Sequence, residues 1–273
     1  MIDRCLKGVA AMALALATSA CGSNLRVSIG DDDGVPLADL DKSGKAPVSL
    51  ALASPDDVVV TEGDRLDIKV SGDPQAVEDL RFSLEDGRLG IMRERKSKAE
   101  GKAIIAVTMP QASEFDLLGS GNIEAPSLVE RAKVNIAGSG NVAVAKVAAE
   151  RLDVNVMGSG TLSAAGTAER LDFNVAGSGK LAARGLKVDR AEVNIAGSGG
   201  GEFASDGRVN ANVAGSGKVT VYGRADCKIA ALGSGKLRCV GSDTGWEDGT
   251  RAAPAPPTAP KAPPSPEAAA PTE

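Results

Sequence analysis

The segment "VNIAGSGNVAVA" (residues 134–145) decides the fold because near-copies of it recur along the chain. "VNVMGSGTLSAA", "FNVAGSGKLAAR", "VNIAGSGGGEFA" and "ANVAGSGKVTVY" follow it in that order. The tripeptide Gly-Ser-Gly begins at residues 119, 138, 158, 177, 197, 215 and 233, so successive copies are 18 to 20 residues apart. A repeat of this length predicts a solenoid in which each copy forms one coil.

Apolar and polar residues alternate on both sides of each Gly-Ser-Gly. One copy has Leu152, Val154 and Val156 at six, four and two residues before the first Gly, with polar residues between them. This period of two is typical of a strand with one buried face. We therefore predict an all-β fold, a parallel β-helix or β-solenoid of about seven coils of 18–20 residues. Short β-like runs in residues 46–115 predict an N-terminal β-rich capping segment.

The Gly-Ser-Gly tripeptides are expected to form the corners of the coils. A coil of about 20 residues at ~3.3 Å per residue has a perimeter of roughly 65 Å, which fits a triangle filled by its own side chains. We expect the glycines to provide the positive φ angle of a sharp corner. Because coils lie about 4.8 Å apart, corner side chains would also crowd one another, which favours small residues there.

Asparagine occupies one outward position of the repeat, three residues before the first Gly. Its five occurrences are Asn135, Asn155, Asn174, Asn194 and Asn212. Because neighbouring coils lie about 4.8 Å apart, stacked amides can hydrogen-bond along the axis. We predict a structural asparagine ladder. Asp116 and Ala230 take this position in the end coils, where we expect the ladder to lose its neighbours.

Arginine recurs at a second outward position, as Arg131, Arg151, Arg170, Arg190 and Arg208. An acidic residue directly precedes four of these arginines, as Glu130, Glu150, Glu169 and Asp189. The neighbouring acids would offset much of the repulsion within the arginine stack. The pattern favours a solvated charge ladder over the alternative, a basic stripe for an anionic polymer.

The fifth coil departs from the repeat at Gly200 and Gly201. Gly201 removes an inward aliphatic side chain, and we expect Phe203 to fill the space. The irregularity is also where a ligand could approach the backbone through a groove, with Glu192 and Glu202 as the nearest carboxylates.

The N-terminal residues are typical of an export signal. Arg4 and Lys7 precede an apolar run over 9–17 that is too short to span a bilayer, so residues 1–20 are predicted to be a signal peptide. "TSAC" at 18–21 resembles a bacterial lipoprotein signal and predicts acylation of Cys21. The alternative is plain cleavage, giving a soluble exported protein. Gly22 after the cysteine is compatible with outer-membrane sorting in Gram-negative bacteria.

Composition divides the remaining chain into three parts. Residues 21–45 are polar and rich in Gly and Asp, which predicts a flexible linker. Residues 46–242 contain the solenoid domain. Residues 243–273 are rich in Pro and Ala with almost no large apolar residue, so they are predicted to be a disordered tail.

Two cysteines lie at inward positions of the last coil, on either side of its corner. In an oxidising compartment Cys227 and Cys239 are predicted to form a disulfide; otherwise they are small buried hydrophobic residues.

The composition also limits the chemistry that is available. The chain has no His, aromatic residues make up 2% of it, and its formal net charge is −5. His-based catalytic dyads are therefore impossible, and no overall positive charge favours nucleic acid. The carboxylates recur in regular columns, whereas a catalytic site normally interrupts a repeat. We predict no catalytic residue, no cofactor, no metal site and no enzymatic activity.

The recurring "NVAGSGK" turns, the preceding β-rich segment and the lipoprotein-like signal resemble the bacterial family called putative auto-transporter adhesin, head GIN domain. The resemblance covers about residues 50–240. It implies an exported β-helix-like domain and surface adhesion, and it transfers no catalytic residue. We expect a non-enzymatic envelope protein with a binding surface for envelope glycans or surface proteins. The alternatives are a structural or protective envelope lipoprotein and a polysaccharide-processing enzyme.

Overall fold

The computed structural model describes residues 34–241, most of which lie in β-strands. The strands are β1 (Ser49–Ala53), β2 (Asp57–Glu62), β3 (Asp67–Gly72), β4 (Leu80–Glu85), β5 (Arg88–Arg93), β6 (Ala103–Met109), β7 (Glu114–Gly119), β8 (Asn122–Gly138), β9 (Asn141–Gly158), β10 (Thr161–Gly177), β11 (Lys180–Gly197), β12 (Gly200–Gly215), β13 (Lys218–Tyr222), β14 (Asp226–Gly233) and β15 (Lys236–Val240). A 3₁₀ turn (Leu37–Asp39) and one five-residue α-helix, α1 (Pro74–Glu78), complete the described elements. The all-β prediction is confirmed.

The repeats form the predicted parallel solenoid. Strands β8 to β12 stack in parallel, and equivalent positions of the repeat lie opposite one another, as Asn155 does with Asn174 and Asn174 with Asn194. The inward positions are sealed from solvent: Leu152 and Val154 are both 0% exposed. The core is a continuous column of small aliphatic side chains and a few Phe rings along the axis.

The two glycines of each corner have different roles: only the first has the expected positive φ, and the second meets the expected crowding between coils. The first Gly of every copy has a φ between +114° and +130°. The second Gly is required for close approach, since a Cβ on Gly160 would lie 2.4 Å from Ile136 Cγ2. At this corner the amides of Ser159 and Gly160 both donate to the carbonyl oxygen of Gly138, at 2.9 and 3.1 Å.

The N-terminal segment closes one end of the solenoid. β1 lies between β7 and β5, and β2 lies between β6 and the start of β8, all in parallel. The outermost strands reverse direction, with β4 antiparallel to β5 and β3 antiparallel to β6. The helix α1 follows β3, and the Asp73 carboxylate caps its N-terminus by accepting from the amide of Ala76 at 2.9 Å.

The predicted linker does not extend to residue 45 as a free tether. Val35 pairs with Phe82 of β4 through two backbone hydrogen bonds of 2.8 Å, and the Phe82 ring is 1% exposed. The last part of the predicted linker therefore lies against the domain, because the edge strand β4 offers it a hydrogen-bonding partner.

The C-terminal end of the described chain is open. β14 pairs only with β12, and β15 pairs only with β13. The signal peptide, the acylation of Cys21 and the Pro/Ala-rich tail remain predictions, since they lie outside residues 34–241. Within that range no helix has the length and apolar character that a membrane span would need.

Candidate functional site

The candidate site lies on the outer side of one face of the solenoid. We call this the first face; it is formed by the six residues before each Gly-Ser-Gly corner. Three outward columns run along it: a charged column five residues before the first Gly, the asparagine ladder three residues before it, and an apolar column directly before it. The apolar column consists of Ala137, Met157, Ala176, Ala196, Ala214 and Leu232.

The asparagine side chains are hydrogen-bonded from coil to coil in one direction. Each Nδ2 donates to the Oδ1 of the preceding coil, over 2.9 Å from Asn155 to Asn135, 3.1 Å from Asn174 to Asn155, 3.0 Å from Asn194 to Asn174 and 2.9 Å from Asn212 to Asn194. Burial decreases along the ladder, from Asn135, which is 2% exposed, to Asn212, which is exposed. The side-chain amides therefore form a polarised chain with its donors directed toward the N-terminal end.

Asp116 terminates this chain as an acceptor, contrary to the expectation that the ladder loses its neighbour there. Its Oδ1 accepts from Asn135 Nδ2 at 2.6 Å, and its Oδ2 lies 2.7 Å from Arg88 Nη1. Arg88 also contacts Glu114, at 2.8 Å, and Glu114 contacts Lys133 at 3.0 Å. Burial raises the pKa of the Asp116 carboxyl, while the hydrogen bond from Asn135 and the charge of Arg88 oppose that shift.

A second, shorter amide ladder lies on the next face and was not predicted from the sequence. Asn141 Nδ2 donates to Asn122 Oδ1 at 3.0 Å, and Asn122 Nδ2 donates to Asp57 Oδ1 at 2.6 Å. Lys102 pairs with the same carboxylate at 3.1 Å. The sequence feature that could have predicted this ladder is the Asn directly after Gly-Ser-Gly in two successive coils. Both ladders thus end at a carboxylate that a cation neutralises.

The apolar column forms the floor of a shallow groove of about 680 Å³. The lining residues belong to the asparagine ladder, the apolar column and the positions between them, from Asn155 to Leu232, and none of them is ionisable. Met157 is 47% exposed and Leu232 is 80% exposed, so the floor of the groove is apolar and accessible to solvent. We call this surface the outer groove.

The charged column beside the ladder provides different ion pairs from those expected. The acids directly before the arginines were expected to offset their charge, whereas Arg151 pairs with Asp153 at 2.8 Å and with Asp172 of the next coil at 2.7 Å. Successive residues of a strand point to different sides, so an acid two residues away faces the arginine better than its direct neighbour. Burial raises the pKa of the Asp172 carboxyl, and the charge of Arg151 opposes this shift.

Neighbouring coils approach the backbone closely at the break in the repeat. A Cβ on Gly200 would lie 2.2 Å from the carbonyl oxygen of Lys218. The space next to Gly201 is occupied by Leu181 and by the ring of Phe173, each 3.1 Å from the position of a Cβ, and Phe203 itself is 0% exposed. Of the two carboxylates considered there, Glu202 accepts a hydrogen bond from the Tyr222 hydroxyl at 3.2 Å.

The structure joins the two cysteines of the last coil. Cys227 and Cys239 form a disulfide with Cα atoms 6.7 Å apart. Their positions follow the inward columns of Val209 and Val221. Cys227 is nevertheless only partly buried and Cys239 is exposed, because no described coil stacks on this end.

The first face combines a hydrogen-bonded amide ladder with an exposed apolar column. Residues 34–241 contain no group of three or more His, Cys, Asp or Glu side chains that could hold a metal ion. The amides of the asparagine ladder are hydrogen-bonded to one another, and the outer groove beside them offers apolar contact.

Several solved structures share the fold of this solenoid. Solved structures with a similar fold include a putative adhesin of Bacteroides fragilis, at 21% identity and a TM-score of 0.65 over 72% of this chain and 93% of that one. A putative lipid binding protein of Parabacteroides distasonis matches at 24% identity and a TM-score of 0.56, with the same coverage of both chains. A putative adhesin of the same organism matches at 20% identity and a TM-score of 0.53, over 71% of this chain and 93% of that one.

No functionally curated protein matches the chain. The model of the family described as putative auto-transporter adhesin, head GIN domain, matches residues 47–225. This match covers the closed end of the solenoid and nearly all of the repeats, and the chain belongs to that family.

Proposed function

We propose that this chain is a non-enzymatic, adhesin-like binding protein of the cell envelope, and that it holds its ligand in the outer groove. The observation that carries the proposal is the chemistry of this surface. Two of the three outward columns of the first face are polar, yet the third is apolar and exposed from Met157 to Leu232. A contiguous exposed apolar surface with a polar border is typical of an interaction site.

The groove fits an extended apolar ligand, such as the acyl chain of a lipid or lipopeptide. Its floor repeats once per coil, so a straight chain aligned with the axis meets the same small side chain about every 4.8 Å. Ala176, Ala196 and Ala214 form this floor, with no charge among the lining residues. Aromatic side chains, on which sugar rings would stack, are also missing from the lining, so the groove chemistry favours acyl chains over envelope glycans.

The test places a charge in the groove without changing the core. Ala196 and Ala182 both lie on β11 with exposed side chains, but only Ala196 lines the outer groove. We expect Ala196→Arg to weaken binding of a fluorescent fatty acid at least tenfold, because the guanidinium would have to lose its water against the alkyl chain. Ala182→Arg, on another face, serves as the matched control.

Equal binding by the two variants would contradict the outer groove as the site. If the native chain binds no fatty acid but captures an envelope protein, with Ala196→Arg again defective, the site would be right and the ligand class wrong. If neither ligand binds, a structural role in the envelope becomes the better explanation.

A further inference from the structure

A column of lysines borders the outer groove on the far side of the Gly-Ser-Gly corners. We call the five residues after each corner the second face; its first outward position contains, in register, Lys180, Gly200, Lys218 and Lys236. The three lysine side chains are exposed. Lys218 follows Ala214 of the apolar column by four residues, and Lys236 follows Leu232 in the same way. Four residues span at most about 14 Å, so the apolar floor and the cations lie on the two sides of one corner.

The lysines occur only in coils that line the groove. The two coils that precede the groove have Asn122 and Asn141 at the same position of the second face, and the first coil of the groove has Thr161. The cations then begin with Lys180. The positive charge of the second face thus coincides with the apolar surface of the first face.

The lysine column lacks the acidic partners that the charged column of the first face has. Lys218 on β13 and Lys236 on β15 lie in register about 4.8 Å apart, and like charges at directly opposite positions destabilise a sheet. Neither lysine forms an ion pair within residues 34–241. Arg151, by contrast, pairs with Asp153 and with Asp172. An anion bound between the two ammonium groups would remove their repulsion.

The carboxylate of the second face lies away from the corner. Among the second-face residues of the coils that line the groove, Glu202 is the one acid. It accepts a hydrogen bond from the Tyr222 hydroxyl at 3.2 Å, and Arg184 lies 4.4 Å from the centre of the same ring. Tyr222 is the fifth residue after its corner, whereas Lys218 is the first. This cluster therefore occupies the far edge of the face, and the lysines occupy the edge next to the groove.

We propose that the outer groove binds a lipid with a phosphate headgroup and that Lys218 and Lys236 hold the phosphate. The inference rests on the proposed function, because the same groove takes the acyl chain. The chain lies along the apolar column from Leu232 toward Met157, over four coil spacings or about 19 Å. The headgroup crosses the corner to the two ammonium groups, where charge-assisted hydrogen bonds to phosphate are short and strong. The lysines thus determine which lipids bind, whereas the apolar floor contacts any acyl chain.

Two ligands that differ only in the phosphate separate these contributions. Lauroyl lysophosphatidic acid and monolauroyl glycerol have the same acyl chain, and calorimetric titration below their critical micelle concentrations measures both affinities. We expect the native chain to bind the phosphate lipid at least about tenfold more tightly than the neutral lipid. Lys218→Gln combined with Lys236→Gln should abolish this preference without changing the affinity for monolauroyl glycerol. Added salt should reduce the preference of the native chain.

The matched control removes the same charge at a distance from the groove. Lys69→Gln combined with Lys146→Gln changes exposed lysines on β3 and β9 and should keep the preference for the phosphate lipid. An equal loss in this control would overturn the proposal, since the net charge of the chain would then explain the preference.

The remaining outcomes distinguish this proposal from the proposed function. Equal affinities of the native chain for the two lipids would overturn the phosphate site and leave the groove as an acyl-chain site. Glycerol phosphate that binds as tightly as the phosphate lipid would also overturn the proposal, because the anion would then bind independently of the groove. If neither lipid binds, the proposed function fails together with this inference.

Discussion

The two ends of the solenoid differ in how the stack of coils is terminated. At the closed end, β4 and β3 run antiparallel to the strands they cover, and inward residues such as Leu80 and Phe82 are 2% and 1% exposed. At the open end no described residue stacks on the last coil, and Ile229 of the same core is 43% exposed. The residues of a repeat determine how one coil stacks on the next, but they do not determine where the stack ends. Termination requires sequence that differs from the repeat.

The stabilising interactions at the two ends also differ in kind. The closed end contains a buried ion pair in which Asp56, 0% exposed, accepts from Arg93 Nε at 2.9 Å and from the Ala103 amide at 2.7 Å. The open end is held by the disulfide between Cys227 and Cys239. One end thus depends on burial and the other on a covalent link.

The largest expected effect comes from breaking the closed end. Asp56→Ala leaves the guanidinium of Arg93, whose side chain is 9% exposed, without its carboxylate. Removing one partner of a buried pair costs about 3–5 kcal/mol of unfolding free energy, because the remaining charge stays buried. Asp226→Ala at the open end, where the side chain is exposed, should change stability by no more than about 0.5 kcal/mol. Urea denaturation measures both, and similar midpoints would refute the contrast between the ends.

The second effect concerns the open end alone. Replacing Cys227 and Cys239 by Ala removes a link between residues 12 apart. Closing a loop of roughly this length restricts the unfolded chain by about 2–3 kcal/mol. Amide exchange should accelerate first in β14 and β15 and remain slow in β4 and β5. Uniform acceleration along the chain would show that the coils unfold together and that the ends are not independent.

The regular part of the molecule could be predicted because the same pattern of residues occurs in each coil. Alternation at Leu152, Val154 and Val156 specifies a strand, and a period near 20 residues specifies the coil. In the same way, stacking at this spacing predicted that Asn155 would meet Asn174. These inferences need only local geometry and one translation along the axis.

The remaining features depend on contacts between different faces or on curvature. Phe173 reaches across the interior to the space beside Gly201, and a comparison within single columns does not detect this contact. To predict the acceptor for Asn135, one would have to know that Asp116 lies in register with it and that Arg88 approaches from the capping segment. The outer groove was missed because a column of Ala gives little sequence signal, and its concavity arises only when the coils are stacked.

The third prediction follows the asparagine ladder from the closed end to the open end. Asn135→Ala removes a buried amide that donates to Asp116 and accepts from Asn155, so it should cost about 1–3 kcal/mol. Asn212→Ala removes an exposed amide with one bond of 2.9 Å to Asn194, and about 0.5–1 kcal/mol is expected. Chemical denaturation of the two variants tests the gradient. Equal losses would mean that hydrogen bonding, rather than burial, determines the contribution of each amide.

The smallest effect is the pH dependence of the carboxylate that terminates the ladder at the closed end. Burial raises the pKa of Asp116 above its ordinary value of 3.8, so the folded chain binds a proton more tightly than the unfolded chain. Stability from this group therefore falls as the pH rises from about 3.8 through the raised pKa. Asp116→Asn keeps an acceptor oxygen for Asn135 but does not titrate. The melting temperature of the variant minus that of the native chain should become more positive over this pH range.

The control for this measurement is Asn212→Ala, which removes an amide that does not titrate and should give a difference that stays constant with pH. Arg88 makes the sign of the Asp116 effect informative, because its guanidinium lies 2.7 Å from the carboxylate and acts against burial. A difference that becomes more negative as the pH rises would show that this attraction exceeds the cost of burial. The ladder would then end at a permanently ionised pair, and the closed end would lose stability in acid instead of gaining it.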